Sequence, residues 1–137
     1  MITQKRVIGT KTGTSGLQRR GIEVETLFVY GTLKSGYSRN NVLSSSELIG
    51  LSTTKPQYTL VNLTSFPGLL ATGNSSVHGE LYRVSKEVLS YCDLIEGHPD
   101  FYQRKKINLF NDEKVWGYIL DAIDYGNYPV IESGIWE

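Results

Sequence analysis

The chain has 137 residues and a mass of 15.4 kDa, enough for one domain with a real core and little more. At 39% hydrophobic and 20% charged residues, its composition is that of an ordinary soluble globular protein, and no apolar run approaches the roughly 20 residues of a membrane span. Net charge is zero, and one cysteine (Cys92) with two histidines (His78, His98) excludes an internal disulfide and any Cys/His zinc cluster. The expectation is a cytoplasmic protein that needs no metal and has no membrane partner.

The charge is unevenly spread. Lys5, Arg6, Lys11, Arg19 and Arg20 precede the first acid, Glu23, and residues 9–16 are rich in Gly, Thr and Ser. Such a stretch buries little, so residues 1–25 read as a basic, flexible extension and 26–137 as the domain. A transit peptide or a tail that touches nucleic acid are the alternatives. Weak helical amphipathicity disfavours the first, nothing favours the second, and no nucleic-acid partner is expected.

Thr26–Tyr30 is β-branched and aromatic and stops at Gly31, the pattern of a strand running into a turn. Residues 35–41 are turn-like, and Val42-Leu43 with Leu48-Ile49-Gly50 suggest a short helix or an irregular apolar segment. Gln57–Leu63 alternates as a strand, Ser65-Phe66-Pro67-Gly68 makes a turn, and Leu69–Ala71 is a short strand before a break at 73–76. Val77–Val84 alternates again. Ser85 caps a helix whose apolar positions Val88, Leu89, Cys92 and Ile95 fall at helical spacing, and Gly97 and Pro99 end it near Glu96. Arg104–Phe110 and Lys114–Ile119 form a hairpin around residues 111–113, and the chain is turn-rich from Asp121. The sum is an α+β domain of about six strands and one main helix.

Two features carry chemistry. Glu96 sits at a helix C-terminus, where the partial negative charge disfavours an ionised carboxylate by about 0.3–1 kcal/mol. Dryness from Leu94 and Ile95 adds in the same direction, towards a pKa suited to a base that later acts as an acid. The plainer alternative is a surface carboxylate hydrogen-bonded to a nearby amide. Tyr30-Gly31-Thr32-Leu33, at a strand end, has the form of a loop whose successive N–H groups line one concavity, suited to a carboxylate. Lys34 and Arg39 are the nearby cations, and no phosphate-binding Gly-x-x-x-x-Gly-Lys motif exists. His98 reads as a turn residue. Arg104 pairs with a carboxylate, that of the substrate or of Glu96 itself, or is an exposed strand charge; no Gly-x-Ser-x-Gly elbow supports a serine hydrolase.

Phe28–Lys34, Gly79–Val84, and Leu94-Ile95-Glu96 with Tyr102-Gln103-Arg104 resemble the γ-glutamylcyclotransferase-like superfamily. The closing Ile131–Trp136 is similar to its C-terminal Glu-Ser-Gly-Asp-Trp signature, with Ile135 in the place of Asp. The Tyr-Gly-Thr-Leu-Lys form is most similar to the γ-glutamylamine cyclotransferase and AIG2-like branch, and the resemblance spans about residues 26–136. It implies a compact mixed β-barrel with one main helix. It also implies a cofactor-free reaction in which the α-amine of a small γ-glutamyl substrate attacks its own side-chain amide, giving 5-oxoproline and a free amine. Glu96 aligns with the catalytic Glu, and Tyr30, Gly31, Thr32 and Leu33 with the substrate-holding loop; Tyr102 is an expected contact. The C-terminal signature is expected to be structural, and residues 35–50 and 62–72 to form the walls that choose the leaving amine. The rival reading is a non-catalytic protein of the same fold that holds a small ligand; a third gives the function to the basic residues 1–22.

Overall fold

The computed structural model of the protein describes residues 24–137. The extension therefore lies outside the described residues up to position 23. The first strand, β1 (Val24–Val29), starts two residues ahead of its predicted beginning. It is followed by a 3-10 turn over Asn40–Leu43, then β2 (Glu47–Thr53), β3 (Tyr58–Asn62), β4 (Pro67–Ser75) and β5 (His78–Ser85). After these come helix α1 (Lys86–Glu96), β6 (Gln103–Asn108), β7 (Lys114–Ile119) and a single-turn helix α2 (Ala122–Tyr125).

Five strands form a mixed sheet in the order β2-β5-β1-β7-β6, and β3 and β4 form a separate hairpin. β1 is the central strand, antiparallel to β5 and parallel to β7. Its alternation serves two cores. Leu27 and Val29 pack with Val84, Leu89 and Cys92 beneath α1, while Phe28 and Tyr30 pack with Tyr58, Leu60 and Leu69 of the hairpin. Each such fully buried large side chain is worth about 1.5–3 kcal/mol relative to exposure. No residue of β1 beyond Thr26 can turn outward without emptying one of the cores.

The expected closed barrel is not found among the described residues. The two sheet edges converge at one end only, where Thr54 bridges Leu109 and the amides of Lys55 and Phe110 donate across the gap to Asn108 and Thr53. The ladder stops there, because the Asn108 amide, which would return the bond to Lys55, donates to the Tyr58 hydroxyl at 2.8 Å, and the Gln57 amide turns back to the Lys55 carbonyl as the chain leaves for β3. Two predictions of local structure also differ. The apolar stretch around Leu48–Gly50 is a strand, with a register shift between Leu48 and Gly50. Residues 73–75 continue β4, because Gly73, at φ 124°, carries the bend that was read as a break.

Helix α1 is built as its sequence predicts. The Ser85 hydroxyl accepts from the Val88 amide at 3.1 Å, Leu89, Cys92 and Glu96 share the buried face, and Gly97 closes the helix in the left-handed region at φ 71°. No helix among the described residues is long and apolar enough to cross a membrane.

Candidate active site

The last turn of α1 carries Glu96 inward beside the end of β1, and the residue is only 8% exposed. It shares a small cavity of about 20 Å³ with Tyr30, Gly31, Thr32, Leu33 and Tyr102. All six predicted site residues are thus brought together, from segments more than 60 positions apart in the chain. The cavity meets a larger groove of about 390 Å³, with Thr32, Glu96 and Tyr102 common to both. Glu96 stands where the groove narrows into the cavity.

The loop after β1 is fixed from several sides. Arg39 donates its amide to the Thr32 carbonyl (2.9 Å), and the Asn40 side chain donates to the Leu33 carbonyl (2.9 Å) and the Tyr82 hydroxyl (3.0 Å). The buried Lys34 ammonium and the Tyr37 hydroxyl both donate to the Trp136 carbonyl, at 2.9 and 3.1 Å. The C-terminal segment therefore grips the loop through its backbone. Ile135, partly exposed, needs no particular side chain for that grip, which agrees with a structural role for the signature. Among the described residues, the amides of Gly31, Thr32 and Leu33 have no hydrogen-bond partner, while all three residues line the cavity. They remain open to an anionic group. Gly31 is required by space: a Cβ there would lie 2.9 Å from the Pro67 ring, which forms the opposite wall.

Glu96 is a buried carboxylate, not the surface residue of the plainer reading. Burial pushes its pKa above the ordinary carboxylate range, and the Arg39 guanidinium, 3.0 Å from Oε2, pulls it part of the way back. Arg39 was noted in the sequence only as a nearby cation. Its pairing with a residue 57 positions away leaves no local signal in the chain.

The two tyrosines serve mainly as walls. The Tyr30 hydroxyl donates to the Tyr118 carbonyl (2.6 Å) and accepts from the Leu69 amide (3.0 Å), so it ties β1 to β7 and β4. The Tyr102 hydroxyl donates to the Pro67 carbonyl, and burial raises the pKa of both phenols. Tyr30 faces the cavity with its backbone and ring, its hydroxyl already satisfied. Arg104 resolves to a bidentate pair with Asp93 at 2.8 and 3.1 Å, with Tyr118 donating to the same carboxylate at 2.7 Å. His98 accepts from the Arg104 amide at 2.9 Å, the turn role expected of it. Asp93 was absent from the sequence reading; it holds α1 against β6 and β7 and keeps Arg104 away from Glu96.

Compared with known proteins, residues 27–137 match the family model described as gamma-glutamyl cyclotransferase, AIG2-like. A Vibrio cholerae protein provisionally named gamma-glutamylcyclotransferase is 40% identical over 111 residues, covering 80% of this chain and 93% of its own. Gamma-glutamylaminecyclotransferase C of Danio rerio is 39% identical over 127 residues, covering 78% of this chain and 84% of its own. The crystal structure of an AIG2-like protein of Mus musculus superposes with a TM-score of 0.71 at 24% identity, covering 83% of this chain and 88% of that one, a likeness of fold.

Proposed function

Since the chain belongs to the gamma-glutamyl cyclotransferase, AIG2-like family, we propose that it converts a small γ-glutamyl amide to 5-oxoproline and a free amine, with Glu96 as the base and acid. The single observation that carries this reading is the buried Glu96 carboxylate sharing one cavity with the amides of residues 31–33, which have no partner among the described residues.

The chemistry follows from that pairing. The substrate's α-amine arrives as an ammonium, and Glu96 takes a proton from it. The freed nitrogen attacks the side-chain amide carbon, forming the ring C–N bond and placing negative charge on the carbonyl oxygen. The amides of residues 31–33 hold an anionic oxygen of the substrate, either the α-carboxylate or that oxyanion. As the tetrahedral intermediate collapses, Glu96 returns its proton to the departing nitrogen and the original amide C–N bond breaks; the second proton still on the ring nitrogen then passes through the same carboxylate to the released amine, which leaves as an ammonium beside the neutral lactam. A pKa raised by burial suits a group that must accept and then release one proton. The reaction is intramolecular, so the site's main task is to hold the substrate folded on itself, where effective molarities reach on the order of 10⁵ M.

The test is release of 5-oxoproline from a panel of γ-glutamyl amines, γ-glutamyl amino acids and glutathione, with Glu96→Gln alongside. Product from wild type and a loss of at least about 100-fold in the variant is expected for removal of a general base. A folded Glu96→Gln that turns over at the wild-type rate would sink the assignment. Ligand binding without product over hours would favour the non-catalytic binding protein instead.

A further inference from the structure

The groove outside Glu96 has an unusual division of character. One side is aromatic and apolar: Phe66, Phe101 and Tyr102, mutually packed at ring separations of 5.0–6.3 Å, with Ile95 beside them. The other side carries Arg39. Among the described residues that line it, only Glu96 and Arg39 are charged, so once Glu96 is assigned to proton transfer, their field in the groove is that of one cation. At about 390 Å³ its size lies in the lower range of small-molecule sites.

Arg39 is held at its root and free at its head. Its amide is bonded to the Thr32 carbonyl, within the loop that faces the cavity, whereas its side chain is 48% exposed. The guanidinium rests on Glu96 Oε2 at 3.0 Å. During the reaction described above, Glu96 accepts the proton of the attacking amine and becomes neutral. Arg39 then loses its counter-ion while the leaving amine is still attached and still in the groove. A carboxylate carried by that amine is placed to take over the guanidinium, and the interaction strengthens as Glu96 becomes protonated, so it favours the transition state over the bound substrate.

We propose that Arg39 selects the leaving group, and that the groove takes γ-glutamyl amides whose departing amine carries a carboxylate and an aromatic or large apolar side chain. This rests on the cyclotransferase reading and names its substrate class: γ-glutamyl conjugates of apolar amino acids, ahead of simple amines and of cationic diamines.

Three substrates separate the contributions: γ-glutamyl-phenylalanine, γ-glutamyl-phenethylamine (the same ring without the carboxylate) and γ-glutamyl-putrescine (an ammonium in its place). Wild-type kcat/KM for the first should exceed that for the second by about tenfold, the size of one charge-assisted hydrogen bond at a partly exposed site, with putrescine lowest. Arg39→Gln should bring the first two within about twofold of each other, and Arg39→Lys should restore part of the gap. Comparing substrates within one variant cancels any change in folded fraction or in Glu96 itself. Equal wild-type rates on the first two substrates, or a preference that survives in Arg39→Gln, would overturn the role of Arg39 and leave the cyclotransferase reading standing. Turnover of none of the three, nor of the wider panel, would remove that reading and this inference with it.

Discussion

Glu96 is held in a state that works against the fold. Its folded pKa is raised above its unfolded value, chiefly by burial, so the folded chain keeps this proton more tightly than the unfolded one. The stability linked to the proton is fully present below the usual carboxylate range and is lost as pH rises through the raised folded pKa. Above that raised pKa the carboxylate is ionised at a cost that Arg39 offsets only in part. Glu96→Gln removes that cost, so at pH 7 its Tm should equal or exceed that of wild type. Thermal melts from pH 3 to 8 should show the difference shrinking towards acid. A variant several degrees less stable at pH 7 would mean that the Arg39 pair outweighs desolvation. The position of Glu96 was legible because the helix stop at Gly97 and Pro99 lies beside it; its partner was not, since an ion pair across 57 positions has no periodicity to betray it.

At the scale of the element, α1 sets where the carboxylate stands, and its two ends do so unequally. Ser85→Ala removes the N-cap bond to Val88 and should cost about 1 kcal/mol. Gly97→Ala forces a side chain into the left-handed region and brings its Cβ to 3.1 Å from that of Phe101, at a cost of about 1–2 kcal/mol. The two stability losses are similar, but only the second acts next to Glu96 and Tyr102. Gly97→Ala should lower kcat/KM at least about tenfold beyond its loss of folded protein, and Ser85→Ala should not. Equal specific activities of the folded fractions would contradict this. The helix, β1 and the β6–β7 hairpin were readable because their periodicity is unbroken. β2 was not, since its register shift at Leu48/Gly50 spoils the alternation on a sheet edge where Leu51 is left exposed. The full length of β4 was hidden for a related reason: Gly73 signals a break in sequence but bends a continuing strand.

For the molecule as a whole, strand count and helix did not determine closure. The sheet edges meet at one end alone, at Thr54 and Leu109, so no closed barrel forms among the described residues, and neither segment carries a sign of the other. The site occupies the junction of the parts, with β1 supplying the loop, α1 the carboxylate, the hairpin Pro67 and the C-terminal segment the grip on Lys34 and Tyr37. Its integrity therefore depends on α1 staying docked, and the chain contains its own gauge of that. Cys92, the sole thiol, lies one turn before Glu96 on the same buried face, is fully enclosed, and has its pKa pushed up to about 12 by burial. A disulfide reagent can reach it only while the helix is lifted, and the thiol is then ordinary and reacts at once. Its labelling rate under native conditions should be slow, should slow further with 5-oxoproline bound, and should rise in Gly97→Ala. Fast labelling of the native wild type would refute a docked α1. Without any introduced probe, the modification of one sulfur atom can therefore time how often the carboxylate leaves its place.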